Sequence, residues 1–225
     1  MNILAVAAHP DDAELGCFGT LLELLGQGQN VYAVALAPGK YGKHSRAEVE
    51  RAWNRARDLL RKARRSGAEA EYILADFPIG RLEHNWDTVD FVDSLVSKYH
   101  IDSMVTHHYG EAHQDHIVAQ KIAVSAARRK VDSLWLWETS IYTHRNVFPF
   151  RTQVYVPVSE PSFEGKMEAL EAYLSEGLLE PDEVEAHRFL ARYRGAEMRR
   201  KFAEAFELVW QVDSSPGIRR GKRDP

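Results

Sequence analysis

The chain has 225 residues, 44% of them hydrophobic and 28% charged, with 29 Lys+Arg against 33 Asp+Glu for a formal net charge of -4. That length supports one sizeable core, and the balanced charge offers no general pull toward nucleic acid or an anionic membrane. A single cysteine, Cys17, excludes a disulfide framework and fits a reducing compartment. Met1-Asn2 leads straight into apolar residues with no basic n-region, and no later apolar run approaches membrane-spanning length, so an untargeted cytoplasmic protein is expected.

Residues 2–8 carry no charge and predict a strand buried on both faces, as in a parallel sheet. The strand runs into His9-Pro10-Asp11-Asp12-Ala13-Glu14, which packs three acids and a histidine into six residues. In open α/β sheets the carboxyl ends of strands are where ligands bind. Imidazole and carboxylate suit Zn2+, and a catalytic zinc takes three protein ligands while keeping one position open. His9 and one aspartate could supply two of the three. The same turn could instead cap the next helix, with Asp11 or Asp12 accepting from the first free amides. On this stretch alone the two readings stand level.

Residues 15–25 have apolar positions at helical spacing, with Gly16 and Gly19 where the helix meets the sheet. Residues 30–37 predict a second buried strand, and 38–42 a loop beside the first cluster. Ser45 and Glu48 have capping-box spacing and open a charged helix running to about residue 65. A third strand over 72–75 ends in the Pro- and Gly-marked loop 76–82, a helix covers 86–99, and a fourth strand covers 101–106. That strand delivers a second dense cluster, His107 to His116, ahead of a helix over 117–129. Residues 134–137 and 154–158 predict two short strands, the second marked as an edge by Pro157. Residues 164–174 and 183–210 predict amphipathic helices, and 213–225 a mobile tail.

The alternation of strand and helix implies right-handed crossovers. The expected fold is a single Rossmann-like α/β domain over residues 1–212, a mainly parallel sheet with helices on both faces. Of ten histidines, His9, His107, His108, His113 and His116 fall at strand ends that this topology places on one side. His44, His84, His100, His144 and His187 lie in loops or charged helical surroundings.

Ala8-His-Pro-Asp-Asp-Ala-Glu-Leu-Gly16 together with His113-Gln-Asp-His116 resembles the zinc-dependent N-deacetylases of the PIG-L/LmbE type, whose signatures are Ala-His-Pro-Asp-Asp and His-Pro-Asp-His. Asp76-Phe-Pro-Ile-Gly-Arg-Leu82 is similar to the family's Asp-Phe-Pro-Asp-Gly-Arg-Leu, and Phe202-Ala-Glu-Ala-Phe206 to its Tyr-Ala-Glu-Ala-Phe. The resemblance implies Zn2+ held by His9, Asp12 and His116, with Asp11 as general base and His113 facing the reacting carbonyl. As imidazolium, His113 would stabilise the oxyanion and protonate the departing amine. Asp115 would orient His113 or hold it charged. The implied reaction is attack of metal-activated water on an N-acyl carbon, releasing acetate and an amine.

The expected partner is a small-molecule N-acylated substrate, in the first instance an amino sugar. Nucleic acid and membrane are not expected, and a homo-oligomer is compatible with the sequence. An arginine on the helix after the second strand usually helps bind substrate in the family, and Arg51 or Arg55 would fill that role. Lys40 and Tyr109, in the loops after the second and fourth strands, are further substrate-side candidates. Departures from the family pattern are Gln114 for Pro, Ile79 for an acid and Lys40 for Glu.

Competing readings fare less well. A dinucleotide-binding module on this scaffold lacks Gly-x-Gly-x-x-Gly, and Asp11, Asp12 and Glu14 would repel a phosphate. A sugar-binding module has no need of a base beside a metal. Another metal-dependent hydrolase, a phosphoesterase or a deaminase, is the nearer rival.

Overall fold

Side-chain alternation along β1 (Asn2–Ala7) sets the layers: Ile3, Ala5 and Ala7 enter one hydrophobic cluster, Leu4 and Val6 the other. A strand covered on both faces leaves no position for charge, which is why its sequence is uniformly apolar. The computed structural model describes residues 1–39, 45–139 and 148–212. Lys40, His44, His144 and the tail over 213–225 lie outside the described residues.

After β1 come α1 (Asp12–Gly16), α2 (Phe18–Gly26), β2 (Asn30–Ala35), α3 (Arg46–Ala63), β3 (Ala70–Leu74), α4 (Trp86–Lys98) and β4 (Ser103–Thr106). The chain continues through α5 (Gln114–Ala127), β5 (Ser133–Trp137), β6 (Val154–Val158), α6 (Glu160–Ser175), α7 (Pro181–Glu197) and β7 (Phe202–Gln211). These strands form one sheet in the order β3-β2-β1-β4-β5-β7-β6. β3, β2, β1, β4 and β5 run parallel, and β7 is antiparallel to both of its neighbours. Helices α4 and α5 cover one face, α2, α3 and α6 the other. The expected α/β fold is therefore present. β1 lies between β2 and β4, so the chain reverses its direction of travel across the sheet there, and the carboxyl ends of β1 and β4 flank a switch-point crevice.

The Ser45–Glu48 capping box opens α3 as expected, and β6 with Pro157 is an edge strand. Two expectations fail. The helix foreseen over 15–25 is two helices, broken at Cys17. Gly16 sits flush on Trp137, where a Cβ would stand 2.4 Å from the indole Cγ, and the next residue, Cys17, leaves helical geometry with a φ of -148°. The long helix foreseen over 183–210 stops at Glu197, where Arg199 adopts a left-handed φ of 54°, and residues 202–211 form β7. Residues four apart share a side in both a helix and a strand. Phe202 and Phe206 therefore satisfy either period, and hydrogen bonding to the open side of β5 decides for strand, with a bulge between Leu134 and Trp135 turning Trp210 to the other face. Among the described residues, no helix is long and apolar enough to cross a membrane.

Candidate functional site

Both predicted clusters meet in the crevice between β1 and β4. The turn after β1 supplies His9, Asp11 and Asp12; the loop after β4 and the start of α5 supply His107, Glu111, His113, Asp115 and His116. All but His113 are buried, and His113 is half-buried.

The capping alternative fails on geometry. Asp11 stands at the N-cap of α1 but makes no side-chain cap hydrogen bond. Asp12 turns back, its Oδ2 accepting from the His9 backbone N–H at 2.6 Å. Asp11 also has a φ of 129°, a conformation that costs a non-glycine residue about 1–3 kcal/mol and persists only where surrounding contacts enforce it. Its Oδ1 is buried with no hydrogen-bond partner among the described residues.

Three residues converge beside it. His9 Nδ1 lies 3.5 Å from Asp12 Oδ2, His116 Nε2 lies 3.2 Å from Asp12 Oδ1, and the two ring nitrogens are 3.3 Å apart. A tetrahedral zinc with bonds of about 2.0–2.1 Å sets neighbouring donors about 3.3–3.4 Å apart; the two ring nitrogens meet that spacing, and each faces a different oxygen of the Asp12 carboxylate. Each ring also turns its far nitrogen to a carboxylate. His9 Nε2 faces Asp115 Oδ2 at 3.1 Å, and His116 Nδ1 makes a short hydrogen bond to Glu111 Oε2. Such carboxylate partners fix the tautomer and aim the remaining lone pair at the cation.

Two overlapping donor sets share His116, one with His9 and His113 and the other with Asp12 and His107. The outer members are otherwise engaged. His107 Nε2 accepts the Ala8 N–H at 3.0 Å, which leaves its proton on Nδ1, 3.3 Å from Glu111 Oε2. His113 Nδ1 accepts the Asp115 N–H at 3.2 Å, which puts the His113 proton on Nε2.

Titration follows this layout. Burial works to lower His116, but Asp12 and Glu111 raise it to about 10. Burial works to raise Glu111, yet the His107 and His116 rings pull it down to about 2. Asp12 is likewise held well below the usual carboxylate range against burial, chiefly by His116. Asp11 has no such compensation: burial, then the Asp12 and Glu14 charges, push it well up. Burial and the His116 and His9 charges press His113 down to about 4. It is neutral at pH 7, not the imidazolium expected.

The Asp115 carboxylate faces His9 and accepts the Gly80 N–H at 2.6 Å, while its backbone N–H donates to His113 and its charge works to raise that ring against burial. Gln114, in place of the family's Pro, donates from Nε2 to the Gly80 carbonyl at 2.7 Å. The 76–82 loop is thereby docked onto the second cluster.

The arginines foreseen for substrate are not brought to the site. Arg51 pairs with Glu176 at 2.6 Å, and Arg55 with Glu168, both on or just after α6. On a helix packed against α6, a long cation finds those acids first. Tyr109 reaches Glu207, its hydroxyl 3.4 Å from Oε1. His108 also faces Glu207, at 3.3 Å. His187 is buried rather than solvated, and burial lowers it to about 3. Sequence reasoning missed Glu111 and Thr139, whose hydroxyl lies 3.3 Å from Glu111 Oε1; a lone acid five residues before a candidate ligand histidine was the available signal.

Fold and site define an α/β enzyme whose strand-tip crevice carries a His/Asp cluster able to hold a metal ion. The model of the PIG-L family, described as GlcNAc-PI de-N-acetylase, matches residues 4–127, and the chain belongs to this family, the hydrolytic N-deacetylases. An Escherichia coli K12 relative described as the uncharacterized deacetylase YaiS is 28% identical over 181 residues, covering 77% of this chain and 91% of the relative. The conserved protein TT1542 of Thermus thermophilus shares the fold with a TM-score of 0.75 and 24% identity, over 97% of this chain and 99% of that one. N,N'-diacetylchitobiose deacetylase from Pyrococcus horikoshii has a TM-score of 0.71 and 18% identity over 92% and 83% of the two chains. GalB, the 4-carboxy-2-hydroxymuconate hydratase of Pseudomonas putida KT2440, has a TM-score of 0.76 and 16% identity over 96% and 98%. The scaffold therefore also serves hydration.

Proposed function

We propose that this chain is a zinc-dependent N-deacetylase that removes an acetyl group from an amino sugar or a related N-acylated small molecule, with His9, Asp12 and His116 holding the metal. The observation that carries the reading is the meeting of His9 Nδ1 and His116 Nε2, 3.3 Å apart, over the Asp12 carboxylate, whose two oxygens they face at 3.5 and 3.2 Å, beside an unpartnered Asp11 oxygen. A divalent cation there would polarise the acyl carbonyl and acidify a water molecule. Asp11, not committed to the metal and raised by burial, takes the proton of the attacking water as the carbon–oxygen bond forms. His113 Nε2–H donates to the developing oxyanion as a neutral imidazole, a role its depressed pKa suits. The proton on Asp11 then passes to the amine as the carbon–nitrogen bond breaks. Acetate and a free amine result.

The amino-sugar substrate draws support from the family description and from the diacetylchitobiose deacetylase of similar fold. The test pairs bound-metal analysis with acetate release from N-acetylglucosamine derivatives and diacetylchitobiose. His9→Ala and His116→Ala should lose metal and turnover together, whereas Asp11→Ala should keep metal and lose about 10²- to 10⁴-fold in rate. Full activity in metal-free protein refutes the reading, and a hydrated product in place of acetate moves the chain toward hydratase chemistry.

A further inference from the structure

The Phe202-to-Phe206 segment contains one acid, Glu204, that takes no part in the centre described above. Its side chain is 5% exposed and sits at the break between α1 and α2. Oε1 accepts the Gly19 N–H at 3.1 Å and Oε2 the Thr20 N–H at 2.7 Å, two first-turn amides for which α2 has no acceptor of its own. Lys166 of α6 donates to Glu204 Oε1 at 2.5 Å and to the Leu15 carbonyl at 2.9 Å. One buried ion pair thus grips both sides of the break.

Leu15 is also the residue whose N–H holds the Asp11 carbonyl, at 2.8 Å. Lys166 therefore stands two hydrogen bonds from the backbone of Asp11. α1 has only five residues, too few to hold its own shape. It is also held by Tyr72 and Tyr173, whose hydroxyls donate to Glu14 at 2.9 and 3.1 Å, by the Trp137 ring under Gly16, and by the buried His187, which hydrogen-bonds the Leu15 backbone. A buried ion pair is a poor source of stability compared with apolar packing of equal volume, but it is well suited to fixing one register.

We propose that Lys166 and Glu204 are positioning residues, contributed by α6 and β7, that lock the α1–α2 break and so hold Asp11 and Asp12 in place at the tip of β1. The inference rests on reading the cluster as a metal centre. Both residues lie beyond the segment 4–127 that the family model matches, so the second half of the chain finishes a site whose chemistry comes from the first.

Lys166→Met combined with Glu204→Gln removes both charges at nearly constant volume. Cobalt(II) serves as the probe, because its visible absorption reports ligand geometry without turnover. The double variant should retain its far-UV circular dichroism and cooperative melt, bind cobalt at least about tenfold more weakly with an altered band shape, and lose kcat more than KM. A folded double variant with the parental cobalt affinity and spectrum overturns the inference. Should the double variant not fold, Glu204→Asp, which keeps both charges but is too short to reach both amides, carries the test with the same expected direction and the same refuting result. A parent protein that takes up no cobalt refutes the metal-centre reading itself.

Discussion

Metal uptake by this site should climb steeply with pH. In the metal-free protein His116 holds its proton to about 10, because Asp12 and Glu111 flank it more strongly than burial opposes it. That proton occupies Nε2, the atom that would face the cation, while Nδ1–H stays on Glu111. Binding must expel it, so each unit of pH below 10 weakens binding about tenfold, and raising the pH from 6 to 8 should tighten it about a hundredfold, or ~2.7 kcal/mol. Chelator competition at several pH values measures the slope. Calorimetry in two buffers of different ionisation enthalpy counts the protons, with about one released per ion. A pH-independent affinity with no proton release refutes the assignment of His116 as a ligand. The sign for stability is opposite. A folded pKa raised from the ordinary 6.5 to about 10 contributes stability that is complete below 6.5 and lost as pH rises toward 10. The metal-free protein should therefore melt progressively lower across that window.

Three further outcomes are expected. His113→Ala should retain one equivalent of metal while kcat falls about 10²- to 10³-fold, the usual cost of one oxyanion donor; loss of the ion would instead make His113 a ligand. Glu111→Gln should weaken metal binding about 10- to 100-fold by freeing the far nitrogen of His116, and it should move the pH-dependent range of binding downward because one of the two anions that raise His116 is gone; equilibrium dialysis tests both. Gly16→Ala places a methyl 2.4–2.6 Å from the Trp137 ring, overpacking that should lower stability by about 1–3 kcal/mol. A melting temperature equal to the parent's would show that α1 can slide.

The parallel half of the fold was legible because strands buried on both faces carry an unbroken apolar run and their caps and breakers are local. The two acid-and-histidine clusters were legible for the same reason, since each follows such a strand directly. Partnership was not. That Asp115 would serve His9 and that Glu111 would serve His116 depends on how the two loops face one another across the crevice, which no spacing within either loop encodes. The arginines of α3 were misplaced because the acids that neutralise them lie far off in the chain, on α6. β7 was read as helix because Phe202 and Phe206 fit both periods, and the partner that chose between them, β5, is remote in sequence.

The sheet order has a consequence for the newborn chain. β7, the last strand among the described residues, inserts between β5 and β6, which precede it. Until residue 211 leaves the ribosome, β5 offers a hydrogen-bonding edge of alternating Leu and Trp with no cover, although every proposed ligand has already been synthesised by residue 116. Such an edge invites pairing with other chains. The nascent protein is thus expected to be most vulnerable to aggregation late in its synthesis, and shortening it by only the final strand should harm its solubility more than its length would suggest.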